Sequence, residues 1–220
     1  MDDVLGIIPP EQRNVHTKAD SRLSGMLIVA PQVRANEGRE RGRNDMPLYH
    51  FSEDPMIARF VPRSPLARPE VEPLVWAIND WHAPLYFVPR DCPRVCFWPL
   101  PTTTPADHER FFGAVAGRMV IAIESAWLER LRTTVLHRYV MPEATFEDTH
   151  DHGVHISRWP VVPESVAPMG DLLVALTAAN VEVRLVPSLV PLGRAIIQTT
   201  LHFSLIRMRN ARDWPDAGSA

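Results

Sequence analysis

Proline takes 22 of the 220 positions, and that spacing limits what the chain can build. A proline lacks the backbone N–H and fixes φ, so neither a long helix interior nor a central strand passes through one. The apolar or alternating runs between the prolines are correspondingly short: Leu48-Tyr49-His50-Phe51, Leu74 to Ile78, Val95 to Trp98, Met119 to Ile123, Val135 to Met141, Gly153 to Trp159 and Val181 to Val186. Each has the length and the β-branched or aromatic content of a strand. Helical spacing falls between them. Ser125 caps a helix through Arg132, and Gly170-Asp171 opens one carrying Leu172, Leu173 and Leu176. Further helices are predicted from Ser52 through Phe60, over Asp107 to Ala114, and over Leu192 to Ile206. A second reading makes Phe203 to Asn210 a closing edge strand. Short strands and helices in irregular order predict an α+β fold with mixed, mostly antiparallel sheets rather than a repeating βαβ unit.

The organisation follows from composition. Residues 1–45 are mixed in charge and lack period, which predicts a disordered arm. A single globular domain is expected over 46–212 and a disordered tail over 213–220. Hydrophobic residues make up 45% of the chain, enough for a core without disulfides, and the formal net charge is −3. That balance argues against general nucleic-acid or anionic-membrane binding. No apolar run approaches a bilayer span, and the opening MDDVLG does not read as a signal peptide. The expected location is the cytoplasm. Lys18 is the lone lysine among 23 cations. Arginine forks suit phosphate and carboxylate, although a GC-rich genome yields the same bias.

No phosphate loop, nucleophile elbow, H-E-x-x-H or paired C-x-x-C is present. Cys92 and Cys96 bracket Arg94, so a lowered thiolate pKa at Cys92 is one reading and two core thiols the other. His150, His152 and His155 flank Asp151 and Gly153. They suggest a small metalloenzyme as an alternative, but a polar turn with Asp and Gly needs no metal to explain it, and no metal is expected. Glu182 and Arg184 share one face of a strand. The Tyr49-His50-Phe51-Ser52 run sets a histidine inside an apolar strand, and Tyr86, Arg90 and Arg94 follow the next one.

Two resemblances meet on these residues. LYHFSEDP, VWAINDWHAPLYFVPRDCPRV and FSLIRMRNA resemble a bacterial family of unknown function. The order of a Tyr-His strand, a helix, an aliphatic strand and a Tyr-bearing turn is similar to the start of ADP-ribosyltransferase-like folds. That second resemblance implies NAD as cofactor and transfer or hydrolysis of ADP-ribose. His50 and Tyr49 with Ser52 would lie at the ribose, and Tyr86 would stack on nicotinamide. Arg90 and Arg94 would hold the diphosphate, and Glu182 would stabilise the oxocarbenium-like cation. The alternatives are a non-catalytic module for a small nucleotide-like or other anionic ligand, or one for a partner protein.

Overall fold

The structure is a computed structural model, and it describes residues 46–64, 72–113 and 117–214. The expected arm over 1–45 lies outside the described residues, as does the tail beyond 214. Among the described residues the strands are β1 (Leu48–Ser52), β2 (Val75–Asn79), β3 (Arg94–Trp98), β4 (Met119–Glu124), β5 (His137–Met141), β6 (Glu147–Asp151), β7 (Val154–Ser157), β8 (Ser165–Pro168), β9 (Val181–Val186) and β10 (His202–Ile206). The helices are α1 (Pro105–Phe111), α2 (Leu128–Thr133), α3 (Leu172–Ala178) and α4 (Val190–Ile196). The α+β class is as the sequence predicts.

The strands form two sheets, in the orders β6-β7-β2-β1-β5-β8 and β10-β3-β4-β9. Their pairings are antiparallel except β4 with β9. Strand alternation then sorts the side chains into three layers. Trp76 and Ile78 of the larger sheet meet Cys96, Trp98, Ile121 and Ile123 of the smaller one in a central cluster. Val75, Ala77 and Tyr139 point to the outer face of the larger sheet, where Phe60 covers them. Val95, Phe97, Val120 and Phe203 point to the outer face of the smaller sheet, under Leu189 and Ile196 at the two ends of α4. Truncating a fully buried member such as Ile121 or Leu131 would cost about 2–5 kcal/mol.

One predicted helix is not formed and another is cut short. Ser52 does accept a backbone N–H, but from Asp54 at 3.1 Å, and Asp54 Oδ1 in turn accepts from Met56 N at 2.8 Å. These are side-chain turns, and they compete with a helical cap. The segment stays extended and Phe60 pairs with Val161. The predicted 192–206 helix stops at Ile196. Thr199 Oγ1 caps the Ile196 carbonyl at 2.7 Å, and Thr200 N and Oγ1 donate to Asp107 Oδ2 at 2.8 and 2.6 Å. Beyond that tie a period of two takes over and β10 closes the edge of the smaller sheet, which is the second reading of that run. Strands β6 and β8 went unpredicted, since one is polar and the other ends in proline.

Candidate functional site

β1 carries two different faces. His50 and Ser52 point outward from the larger sheet, and Tyr49 and Phe51 pack on the central cluster. His50 Nδ1 donates to the Trp76 carbonyl of β2 at 2.9 Å. A carbonyl only accepts, so Nδ1 carries the proton of this bond. The ring also lies 4.6 Å from that of Phe60. The extended 53–64 segment bends over this face and closes a pocket of about 100 Å³. Arg59, Arg63 and Arg90 line it together with His50, Ser52 and the ring of Phe60. Asp54 is the carboxylate in the lining. Arg90 is anchored by its own backbone N–H, which donates to Glu53 Oε1 at 3.0 Å. Three arginines thus line one small cavity in a chain whose formal net charge is −3, a local excess of positive charge that the overall balance conceals.

The other expected site residues are elsewhere. Tyr86 is in a 3-10 turn with its ring inside the central cluster, and Arg94 lies over it at 5.5 Å. Burial pushes the Tyr86 phenol above its ordinary range. Arg94 is 3% exposed and donates to the Cys92 carbonyl at 2.8 Å. Neither reaches the His50 pocket. Tyr49 packs under Arg138 at 5.1 Å, and burial, with Asp80 close by, raises its phenol. Glu182 faces outward from the smaller sheet and pairs with Arg184 Nε at 2.6 Å, while the Arg184 guanidinium lies over Phe97. His50 and Glu182 therefore stand on opposite outer faces of the molecule, with Tyr86 in the core between. Of the expected set, His50, Ser52 and Arg90 come together. Arg59 and Arg63 join them from the extended stretch that stands where the sequence predicts a helix end and a proline-rich connector.

Cys92 and Cys96 are free and fully buried. Burial pushes both thiols up to about 12, outweighing the Arg94 charge. The lowered thiolate pKa considered for Cys92 is thereby corrected.

A second polar constellation sits at one end of the central cluster, assembled from three separate segments. His82 precedes the 3-10 turn after β2, His152 is in the β6–β7 turn, and His202 opens β10. The His152 and His202 rings meet edge to face at 3.9 Å, and His82 lies 6.3 Å from His152. Trp98 stacks on His202 at 5.0 Å and contacts the other two at 5.5 Å. Asn79 Oδ1 accepts from His82 Nδ1 at 2.9 Å, and Asp151, itself buried, bonds His152 Nδ1. Burial and the neighbouring histidines lower the His82 pKa to about 3, so its ring is neutral. The turn holds His150 and His152 in left-handed backbone, at φ 57° and 50°, which costs a non-glycine residue energy, while Gly153 at 70° adopts it freely. At Gly153 a Cβ would stand 2.3 Å from Asn79 Oδ1 and 2.4 Å from His82 Nδ1. Sequence reading linked His152 with its chain neighbours His150 and His155. The signals for the real partners were an amide at the end of β2 and a histidine on the inward face of a C-terminal alternation.

Among the described residues no group of three or more His, Cys, Asp or Glu side chains could hold a metal ion, and no helix is long and apolar enough to cross a membrane. No curated protein and no solved structure matches the chain. One family model does match, over residues 49–211, from the Tyr49 of β1 to the residue after the last 3-10 turn, and so takes in both constellations. The chain belongs to that family, a family of unknown function (DUF6886).

Proposed function

We propose that this protein binds a small anionic ligand, one that carries a phosphate or carboxylate beside a flat or apolar part, in the pocket under His50. The observation that supports it most is the gathering of Arg59, Arg63 and Arg90 around a single cavity walled by Phe60 and His50. Guanidinium forks bind such oxyanions in bidentate geometry, and an aromatic wall takes the flat part. Nucleotides, with ADP-ribose and NAD among them, are the members of this class that the resemblance at Tyr49-His50 favours. Transfer of ADP-ribose would need a carboxylate beside the bound ribose. Glu182 lies on the far face, and Asp54 Oδ1 is engaged by Met56 N. Binding is therefore the reading we put forward, with Tyr86, Arg94 and Glu182 as structural residues.

A thermal-shift titration of the full chain with phosphate, ADP-ribose, NAD and nicotinamide tests it. A ligand at a hundred times its Kd stabilises by about 2.7 kcal/mol, which for a domain of this size raises Tm by roughly 5–11 °C. The expected result is a shift with the phosphate-bearing ligands, none with nicotinamide, and loss of the shift in the Arg59→Ala/Arg90→Ala double variant. No shift with any ligand, or an undiminished shift in the double variant, refutes the reading.

A further inference from the structure

The smaller sheet ends in β9, and that edge is open. Among the described residues the β9 backbone pairs with β4 alone, over six consecutive positions without a bulge. Alternate N–H and C=O groups of β9 therefore point away from the sheet, with no described strand to receive them. The other edges are protected. β6 carries Glu147, Asp148 and Asp151 and a register shift, β8 is four residues long and ends in Pro168, and β10 is buried at four of its five positions. β9 has neither proline nor bulge, and its charges are Glu182 and Arg184, joined to each other at 2.6 Å. On its inner face Leu185 follows Val181 and Val183 in alternation, yet it is 44% exposed while Val181 is packed in the central cluster.

The residues of this edge select the strand that fits it. Residues facing each other across an antiparallel pair lie on the same side of the sheet, so two copies of β9 related by a twofold axis must be centred on a residue. Centring on Glu182 or on Arg184 sets like charges directly opposite, which destabilises a pair. Centring on Val181 or Leu185 pairs at most half of the strand. Centred on Val183, Glu182 of each copy stands opposite Arg184 of the other, and the exposed Leu185 lies against Val181 of the other copy. Each copy keeps its in-strand ion pair, so four charges of alternating sign meet at the axis. We propose that β9 is the interface of a symmetric homodimer, in which two copies pair antiparallel about Val183 and the two four-stranded sheets run on as one.

The interface is small, so association is weak, with Kd expected between about 1 and 100 µM. Sedimentation equilibrium of the full chain across that range reads it: the mass is 24.9 kDa for one chain and should rise toward twice that value. Glu182→Arg and Arg184→Glu should each weaken self-association at least tenfold, because each sets like charges opposite at both contacts. Mixed one to one, these two variants should dimerise with each other, since every facing pair is then opposite in sign. The swapped double variant Glu182→Arg/Arg184→Glu keeps its in-strand pair. It should dimerise with itself but not with isotope-labelled wild type, read by native mass spectrometry, and it carries the test if a single reversal does not fold. A wild-type chain that stays monomeric at the top of the range overturns the proposal. So does undiminished self-association of a single reversal, failure of the two folded single variants to pair, or free mixing of the swapped variant with the wild type. The phosphate titration reads a pocket on the larger sheet, so either proposal can fail alone.

Discussion

Acid should loosen this protein at a defined place and by a calculable amount. His82 has a folded pKa of about 3 against an ordinary value of 6.5, chiefly because burial disfavours its charged form. The sign follows from linkage. Between those two values the unfolded chain holds a proton on this ring and the folded chain does not. The contribution of His82 is therefore fully present above pH 6.5 and is lost as pH falls toward 3. The slope is about 1.4 kcal/mol per pH unit, so moving from pH 7.5 to pH 5 removes about 2 kcal/mol, before most carboxylates begin to titrate. The groups facing the ring are His152, His202, Arg118 and the amide of Asn79, and none supplies a negative charge to stabilise an imidazolium. The assay is urea unfolding of the full chain at half-unit steps from pH 7.5 to 5, repeated on His82→Gln. The wild type should lose about 2 kcal/mol over this range, and the variant, which cannot take the proton, should lose markedly less. Equal stability of the wild type at both ends, or an identical fall in the variant, would refute the reasoning.

Other perturbations follow from the same geometry. Gly153→Ala meets Asn79 and His82 at under 2.5 Å in a backbone of positive φ, so it should destabilise by about 2 kcal/mol or more, measured by urea unfolding. Cys92 and Cys96, with thiols near 12, should react with a thiol reagent at pH 8 only after unfolding; fast labelling of the native chain would contradict their burial. Glu182→Gln breaks a partly exposed ion pair with Arg184, which should change stability by less than about 1 kcal/mol and leave phosphate binding intact. Loss of ligand binding in that variant would instead restore Glu182 to the site.

Most strands were legible because their apolar runs are short, bounded and rich in β-branched residues. Val75–Asn79, Met119–Glu124 and Val181–Val186 read directly from the sequence. The failures have physical causes. At Ser52 a residue suited to capping found its N–H partner two positions on, within a turn, and helix propensity alone does not decide between those outcomes. After Ile196 the helix was ended by a long-range bond from Thr200 to Asp107, 93 positions away, which local pattern cannot register. Part of the pocket lining was legible, in His50, Ser52 and Arg90. Arg59 and Arg63 were hidden because an extended segment, not a helix, delivers them. The histidine constellation was hidden more completely, since residues 82, 152 and 202 become neighbours only once both sheets are in place.

The pairing of β3 with β10 joins residues 94–98 to 202–206. During synthesis, β3 and β4 leave the ribosome long before the strand that covers the β3 edge exists. Over that interval Val95 and Phe97, fully buried in the finished molecule, are not yet covered by Phe203 and Leu205. Contacts this distant in sequence form slowly, and an uncovered apolar edge invites pairing with another chain. The smaller sheet thus cannot close its β3 edge until residues 202–206 have been made, and chains arrested before residue 202 should aggregate through β3.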